Sequence, residues 1–202
     1  MTSQGADNPQ GGADLWQRAA SFAARAHTGQ VRKDGATPYA SHPTRVAMTL
    51  LRIFGCNDDQ AIAAAFLHDT IEDTPADYDD IEEGFGKVVA DIVAALTKNM
   101  ILPESEREPE YDQRLANADW RARLIKLADV YDNLCDIEFQ NLQTVDQVRS
   151  TRLRHAARCE RAIALASGDA TAHPETARAI AVVRDRLDQK PDERTSRAVV
   201  CK

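Results

Sequence analysis

The amino-acid sequence predicts an all-α protein, a helical bundle of roughly eight to ten helices. Three observations carry this. Apolar residues recur at three- and four-residue spacing in segment after segment, the period of a helix with one buried face. Gly, Pro and capping residues punctuate those segments where helices would start and stop. No stretch alternates apolar and polar residues as a half-buried strand does, and no internal repeat is present. With 202 residues, 43% of them hydrophobic, the chain suits one large globular domain, bounded here as 14–190.

Residues 1–13 are mainly Gly, Asn, Gln, Ser and Asp and predict a disordered tail. Asp14 stands where an N-cap belongs, and Leu15, Ala19, Phe22, Ala23 and Ala26 form the stripe of a first helix that Gly29 ends. A Gly- and Pro-containing loop follows, with the basic pair Arg32-Lys33. Pro43 suits the first turn of a second helix, whose apolar face is Val46, Ala47, Leu50, Leu51 and Phe54 and whose stop is Gly55. Asn57 or Asp58 caps the third helix. A short helix is expected around Asp79–Phe85, broken by Gly86, and Val88, Val89, Ile92, Val93 and Leu96 mark the next. Residues 99–109, with two prolines and alternating charges, predict a mobile loop, with a helix resuming near Glu110. Asp119 caps a helix through Leu124, Leu127, Ala128, Tyr131 and Leu134. Thr144 and Gln147 form a capping box for a long helix closed by Gly168. The last helix runs over 174–189, and 191–202 predicts a flexible tail.

A net charge of −7 and a pI near 5.2 argue against a nucleic-acid polymer as partner, which needs a basic face. They leave room for a small anion held by local Lys and Arg. The four cysteines form no C-x-x-C pair, and the first three fall in segments that read as helical, as buried or idle thiols. The N-terminus has no apolar leader, and no run is long enough to span a bilayer, so a reducing cytoplasm is expected.

The chemistry concentrates in one stretch, Ala63 to Thr74, which begins apolar and ends with His68, Asp69, Glu72 and Asp73. On a continuous helix His68 lies above Glu72 and Asp69 above Asp73. Thr74-Pro75 would end that helix, leaving three carboxylates at the negative end of its dipole. A divalent cation would offset that charge; the plainer alternative is a solvated acidic helix end with His68 in the core. His42, Asp129 and Asn133 also stand beside apolar positions, and a set of two imidazoles and carboxylates suits Mn²⁺, Zn²⁺ or Fe²⁺. Residues four apart are offset by about 6 Å along a helix axis. That offset is too large for Asp69 and Asp73 to chelate one ion easily from a straight helix.

Four blocks in order then resemble a known family. They are Ala26–Lys33 with Pro38–Pro43, Phe66–Thr74, Phe85-Gly86 with Ala95–Lys98, and Lys126–Leu134. The order His, His-Asp, Asp is that of the HD metal-dependent phosphohydrolases, and the blocks resemble the RelA/SpoT-type alarmone hydrolase domain over roughly residues 15–165. The remainder leaves no room for a synthetase region, which implies a stand-alone small hydrolase. The resemblance implies removal of the 3′-diphosphate of ppGpp or pppGpp, giving GDP or GTP and pyrophosphate, with one Mn²⁺. It implies His42, His68, Asp69 and Asp129 as metal ligands and Glu72, Asp73 and Asn133 as catalytic residues. Arg32 and Lys33, then Lys98 and Lys126, would meet the substrate. Asp132 departs from the pattern, standing where relatives often have His, and would add charge to the pocket. An HD phosphohydrolase acting on another nucleotide, a 5′-nucleotidase or NADPH phosphatase, and a silent nucleotide-binding HD domain are the alternatives. His27 is expected to be structural, His155 and His173 exposed on helices, and Trp16 and Trp120 packing residues.

Overall fold

The computed structural model describes residues 14–140 and 142–189; the tails expected at 1–13 and 191–202 lie outside them. The elements are α1 (Leu15–Ala26), α2 (Ser41–Thr49) running into a π-helical turn (Leu50–Phe54), α3 (Asp59–Leu67), α4 (Thr70–Asp73), α5 (Tyr78–Phe85), α6 (Lys87–Leu96), α7 (Glu104–Asn117), α8 (Trp120–Asp136), α9 (Val145–Ala166) and α10 (Pro174–Asp188). Among the described residues the nearest thing to a strand is an isolated bridge between Val31 and Pro38. No described helix is long and apolar enough to cross a membrane.

The bundle is built around α3. Ala61, Ala63, Ala64, Ala65, Phe66 and Leu67 are all buried and Ile62 partly so, so beyond its first turn this helix is apolar nearly all round. α1, α2, α6 and α8 pack against it. Alanines keep the approach close: α1 presents buried Ala19 and Ala23. α8 adds Leu124, Ile125, Leu127 and Ala128 to the same core.

Several expected caps are present. The Asp58 carboxylate accepts from the Ala61 amide at 2.8 Å and that of Asp119 from the Arg121 amide at 2.9 Å. Thr144 and Gln147 close a capping box. Asp14 precedes α1 as expected, but its side chain makes no capping hydrogen bond. Gly55 has φ +77°, a left-handed conformation that favours glycine at this turn, and a Cβ there would displace the end of the Arg178 side chain.

The structure corrects four expectations. The segment read as a mobile loop is largely helical: α7 starts at Glu104 and carries Pro109 inside it. Pro109 removes one helical hydrogen bond, yet buried Tyr111 and Leu115 anchor the helix, and Arg114 donates to the carbonyls of Ala94 and Thr97. Second, the helix through the acidic cluster is not continuous. His68 Nδ1 donates to Ala65 O at 2.9 Å and the Thr70 hydroxyl to Leu67 O at 2.6 Å, taking carbonyls that backbone amides would otherwise use. α3 ends at Leu67, and Asp69 becomes the N-cap of α4. Third, Cys56 lies in a loop and not in a helix, although it is buried. Fourth, His155 is not exposed: it falls on the buried stripe of α9 with Thr151, Cys159 and Ala162.

Because Ala64 is buried within α3, Ala64→Leu is expected to destabilise the fold by about 1–3 kcal/mol through overpacking. Urea unfolding should show a lower midpoint at an unchanged slope.

Candidate active site

His42 comes from α2, His68 and Asp69 from the break after α3, and Asp129 from α8. His42 Nε2 lies 3.5 Å from Asp69 Oδ2 and 3.3 Å from Asp129 Oδ1. His68 Nε2 lies 3.1 Å from Asp69 Oδ2 and 4.0 Å from Asp129 Oδ1. One donor atom each from His42, His68 and Asp69 fall within 4.8 Å of one another. Donors bound to one ion at about 2.2 Å stand about 3 Å apart when at right angles, so this spacing fits a single cation.

The tautomers fit too. Because His68 Nδ1 gives its hydrogen to a carbonyl, Nε2 faces the cluster, and it is buried without a hydrogen-bond partner. His42 Nδ1 contacts Asp132 Oδ2 at 2.7 Å, leaving its Nε2 toward Asp69 and Asp129. A carboxylate or carbonyl behind each imidazole is how proteins hold metal-binding histidines. The field is strongly negative. Burial opposes protonation of His42, but hydrogen bonding to Asp129 and Asp132 outweighs it and lifts the imidazole to about 9. His68 is raised likewise, against its burial, chiefly by Asp69. Burial alone would raise Asp69 and Asp129, yet both are depressed: Asp69 by His68, and Asp129 by Lys126 and then His42. A site that favours positive charge so strongly suits a divalent cation.

The four residues stand at one side of a cavity of about 360 Å³, which is also lined by Glu72, Asn133, Arg32, Lys33, Lys98 and Lys126. Glu72 Oε2 accepts from the Lys98 amide at 2.8 Å, and burial, the largest influence, leaves its pKa raised. Asn133 gives its amide hydrogen to Asp129 and accepts from Arg32 at 3.0 Å. The cations are mostly engaged: Arg32 with Asp136 at 2.9 Å, Lys98 with Glu108 at 2.6 Å, Lys126 with Asp129 at 2.8 Å. Asp73 does not join the cavity. The helix break turns it outward, exposed, and its carboxylate receives the Tyr39 hydroxyl at 3.1 Å. Asp132 adds no charge to the cavity either; it sits behind His42, paired with Arg45 at 2.6 Å.

Sequence reasoning missed several lining residues. Tyr39 donates to Asp69 Oδ2 at 2.7 Å, and its place inside the first family-like block could have flagged it. Tyr111 is buried, with Lys98 and Lys126 5.2 and 5.5 Å from its ring centre. His155 would have been found from its four-residue spacing to Thr151 and Cys159. Its pKa is depressed to about 4, by burial first and then by Arg158 and Lys33. His27 is structural as expected, buried and bonded to Gln30 at 2.8 Å; His173, expected exposed on a helix, is instead half-buried at the N-cap position of α10, makes no side-chain capping bond and stacks on Trp120 at 3.9 Å.

Two outcomes follow from this geometry. Asp132→Ala frees His42 to rotate and should weaken Mn²⁺ binding roughly 10–100-fold by titration calorimetry. His155 makes folding pH-dependent. Below about 6.5 the unfolded chain takes up a proton that the folded chain refuses until about 4. Stability should therefore fall by about 1–2 kcal/mol as pH drops across that window, and His155→Gln should flatten this part of the profile of urea midpoints.

Comparison with known proteins agrees with this picture. A family profile described as HD domain matches residues 19–183. The guanosine-3′,5′-bis(diphosphate) 3′-pyrophosphohydrolase MESH1 of Xenopus tropicalis is 41% identical over 127 residues, covering 62% of this chain and 71% of the relative. MESH1 of Homo sapiens is 42% identical over 120 residues, covering 59% and 67%. A solved structure, described as a metazoan ortholog of SpoT that hydrolyses ppGpp and plays a role in starvation responses, superposes with a TM-score of 0.70 at 28% identity. It covers 93% of this chain and 99% of that one. With the profile matching residues 19–183, most of its length, the chain belongs to the HD-domain family.

Proposed function

We propose that this chain is a metal-dependent guanosine-3′,5′-bis(diphosphate) 3′-pyrophosphohydrolase, releasing pyrophosphate from ppGpp or pppGpp to leave GDP or GTP. The observation that supports it best is the convergence of His42, His68, Asp69 and Asp129 at one side of a cavity whose remaining polar lining includes Lys and Arg. Its relatives of that name share about 41% identity. The hydrolase domain is taken as 14–190 with short tails, in a cytoplasmic setting where Cys56, Cys135 and Cys159 stay free thiols.

His42, His68, Asp69 and Asp129 would hold the cation, and Mn²⁺ is the metal we favour for this N/O set. When bound, it supplies Lewis acidity to a phosphoryl oxygen and makes a nearby water more acidic. Glu72 is the carboxylate placed to take the proton of the attacking water. It lines the cavity, and burial raises its pKa toward that of a useful base. The water oxygen bonds to the 3′ phosphorus, the ribose O3′–P bond breaks, and O3′ leaves with the pair and takes up a proton. Asn133 steadies Asp129 on one side and Arg32 on the other. Tyr39, whose hydroxyl donates to Asp69 at 2.7 Å and also lies 3.1 Å from Asp73, fixes the Asp69 carboxylate and links Asp73 to it. Lys98 and Lys126 offset the charge of the phosphates, and Arg32 and Lys33 face the nucleotide from the loop after α1.

Incubation with ppGpp and Mn²⁺, with NADPH and 5′-nucleotides in parallel, should give GDP and pyrophosphate resolved by ion exchange. Turnover of the parallel substrates alone would overturn the assignment. Asp69→Ala should lose metal and activity together. Glu72→Gln should keep metal and lose roughly 10²–10⁴-fold in kcat, with Asp73→Asn losing less; elemental analysis beside single-turnover rates separates the three.

A further inference from the structure

Most cations around the cavity already have carboxylate partners. Arg32 pairs with Asp136, Lys98 with Glu108, Lys126 with Asp129, and Arg161 with Glu108 and Asp112. Lys33 and Arg158 differ. Both line the cavity at its exposed edge, and among the described residues neither makes an ion pair or a side-chain hydrogen bond. His155 lines the same wall, is only 4% exposed, and has no side-chain hydrogen bond either. The three are close enough to act on one another. Lys33 is lowered by partial burial first and then by Arg158, and His155 by burial and then by both cations. Like charges gathered at a cavity wall without a counterion are unfavourable in themselves. A ligand that brings negative charge relieves them.

We infer that Lys33, His155 and Arg158 form an anion subsite for the phosphate chain of the nucleotide that is not cleaved, the 5′ chain, while the 3′ chain lies at the His42, His68, Asp69 and Asp129 cluster. This rests on the function proposed above. A nucleotide with two phosphate chains carries charge at two places, and one metal ion answers only one of them. The Arg158 guanidinium offers a planar fork for two phosphate oxygens, and Lys33 a point charge beside it. His155, neutral and buried, has a ring nitrogen free to donate to a phosphate oxygen. The consequence is specificity: guanosine nucleotides with a 5′-phosphate chain are selected over those without one.

The test uses the metal-loaded full chain and GDP, which carries the 5′ chain and has no 3′ bond to cleave. Lys33 and Arg158 are exposed and unbonded, so their replacement leaves the packing untouched. Titration calorimetry should show GDP bound by wild type and at least tenfold more weakly by Arg158→Ala and by Lys33→Ala, with Arg158→Lys between. Steady-state kinetics should show KM for ppGpp rising at least tenfold more than KM for guanosine 3′-diphosphate in the same variants. GDP affinity that is absent in wild type, or equal in wild type and variants, overturns the subsite even if ppGpp is cleaved. Arg158-dependent GDP binding in a protein that cleaves no guanine nucleotide leaves the subsite standing and overturns the hydrolase assignment instead.

Discussion

The structure depends on how it holds negative charge at the end of an apolar helix. α3 is buried over most of its length, and its end delivers His68 and the largely buried Asp69 toward the interior, where an unpaired carboxylate is very unfavourable. Three things make the placement tolerable. The helix stops, so that the Asp69 carboxylate is turned toward the imidazoles of His42 and His68. The Tyr39 hydroxyl gives it a hydrogen bond. Asp129 arrives from α8 with its own lysine, Lys126, one turn away. The same arrangement leaves His68 Nε2 buried beside the Asp69 carboxylate, 3.1 Å away, without a well-aligned hydrogen bond. A buried nitrogen aimed into a carboxylate cluster without aligned hydrogen bonding is the geometry a metal ligand needs.

Behind this cluster lies a second polar layer that ties the loop after α1 to α8. Arg45 donates to Asp132 and Asp136, Arg32 donates to Asp136 and Asn133, and Asp132 fixes His42. Each charge meets an opposite charge with directed hydrogen bonds, the condition under which buried ion pairs are acceptable. Removing one partner would strand the others, so α2, α8 and the Arg32 loop are held in one register. The loop has its own brace: the Asp34 carboxylate accepts from the amides of Ala36 and Thr37 and from the Thr37 hydroxyl, and these bonds hold its pKa near 2. Asp132 therefore matters for the aim of His42 and not for the charge of the cavity.

The order and type of the elements were legible in the sequence, because apolar period and caps are local signals. Where reading failed, a tertiary contact had overruled a local one. Pro109 and the charges around it read as loop, yet Tyr111 and Leu115 bury against the bundle and Arg114 reaches the end of α6. The acidic run read as one helix, yet the His68 and Thr70 side chains compete for its carbonyls. The site was legible in part. His42, His68, Asp69 and Asp129 are recognisable by type and order, and the structure brings them together. Asp73 looked equivalent to Glu72 because both follow Asp69 closely; as consecutive residues of α4 they point about 100° apart, and the break at His68–Asp69 that decides which of them meets the cavity is set by side-chain hydrogen bonds.

The least legible part of the site is its outer wall, for a physical reason. α7 and α9 contribute Glu108, Tyr111, His155 and Arg158 singly, from helix faces otherwise occupied by packing or solvent. Such residues form no contiguous motif, since most of the wall they build comes from other elements. The chemistry of bond breaking needs a fixed cluster on short stretches, and those stretches carry the family-like blocks. Selection among nucleotides needs only charge and shape at a distance, which isolated residues on amphipathic helices supply. The Glu108 bridge between Lys98 and Arg161 illustrates the difference. Together with Asp112, which also pairs with Arg161, it offsets two cations that would otherwise compete with Lys33 and Arg158 for an anion. The positive charge left over is thereby confined to one wall, the one built by the α1 loop and α9.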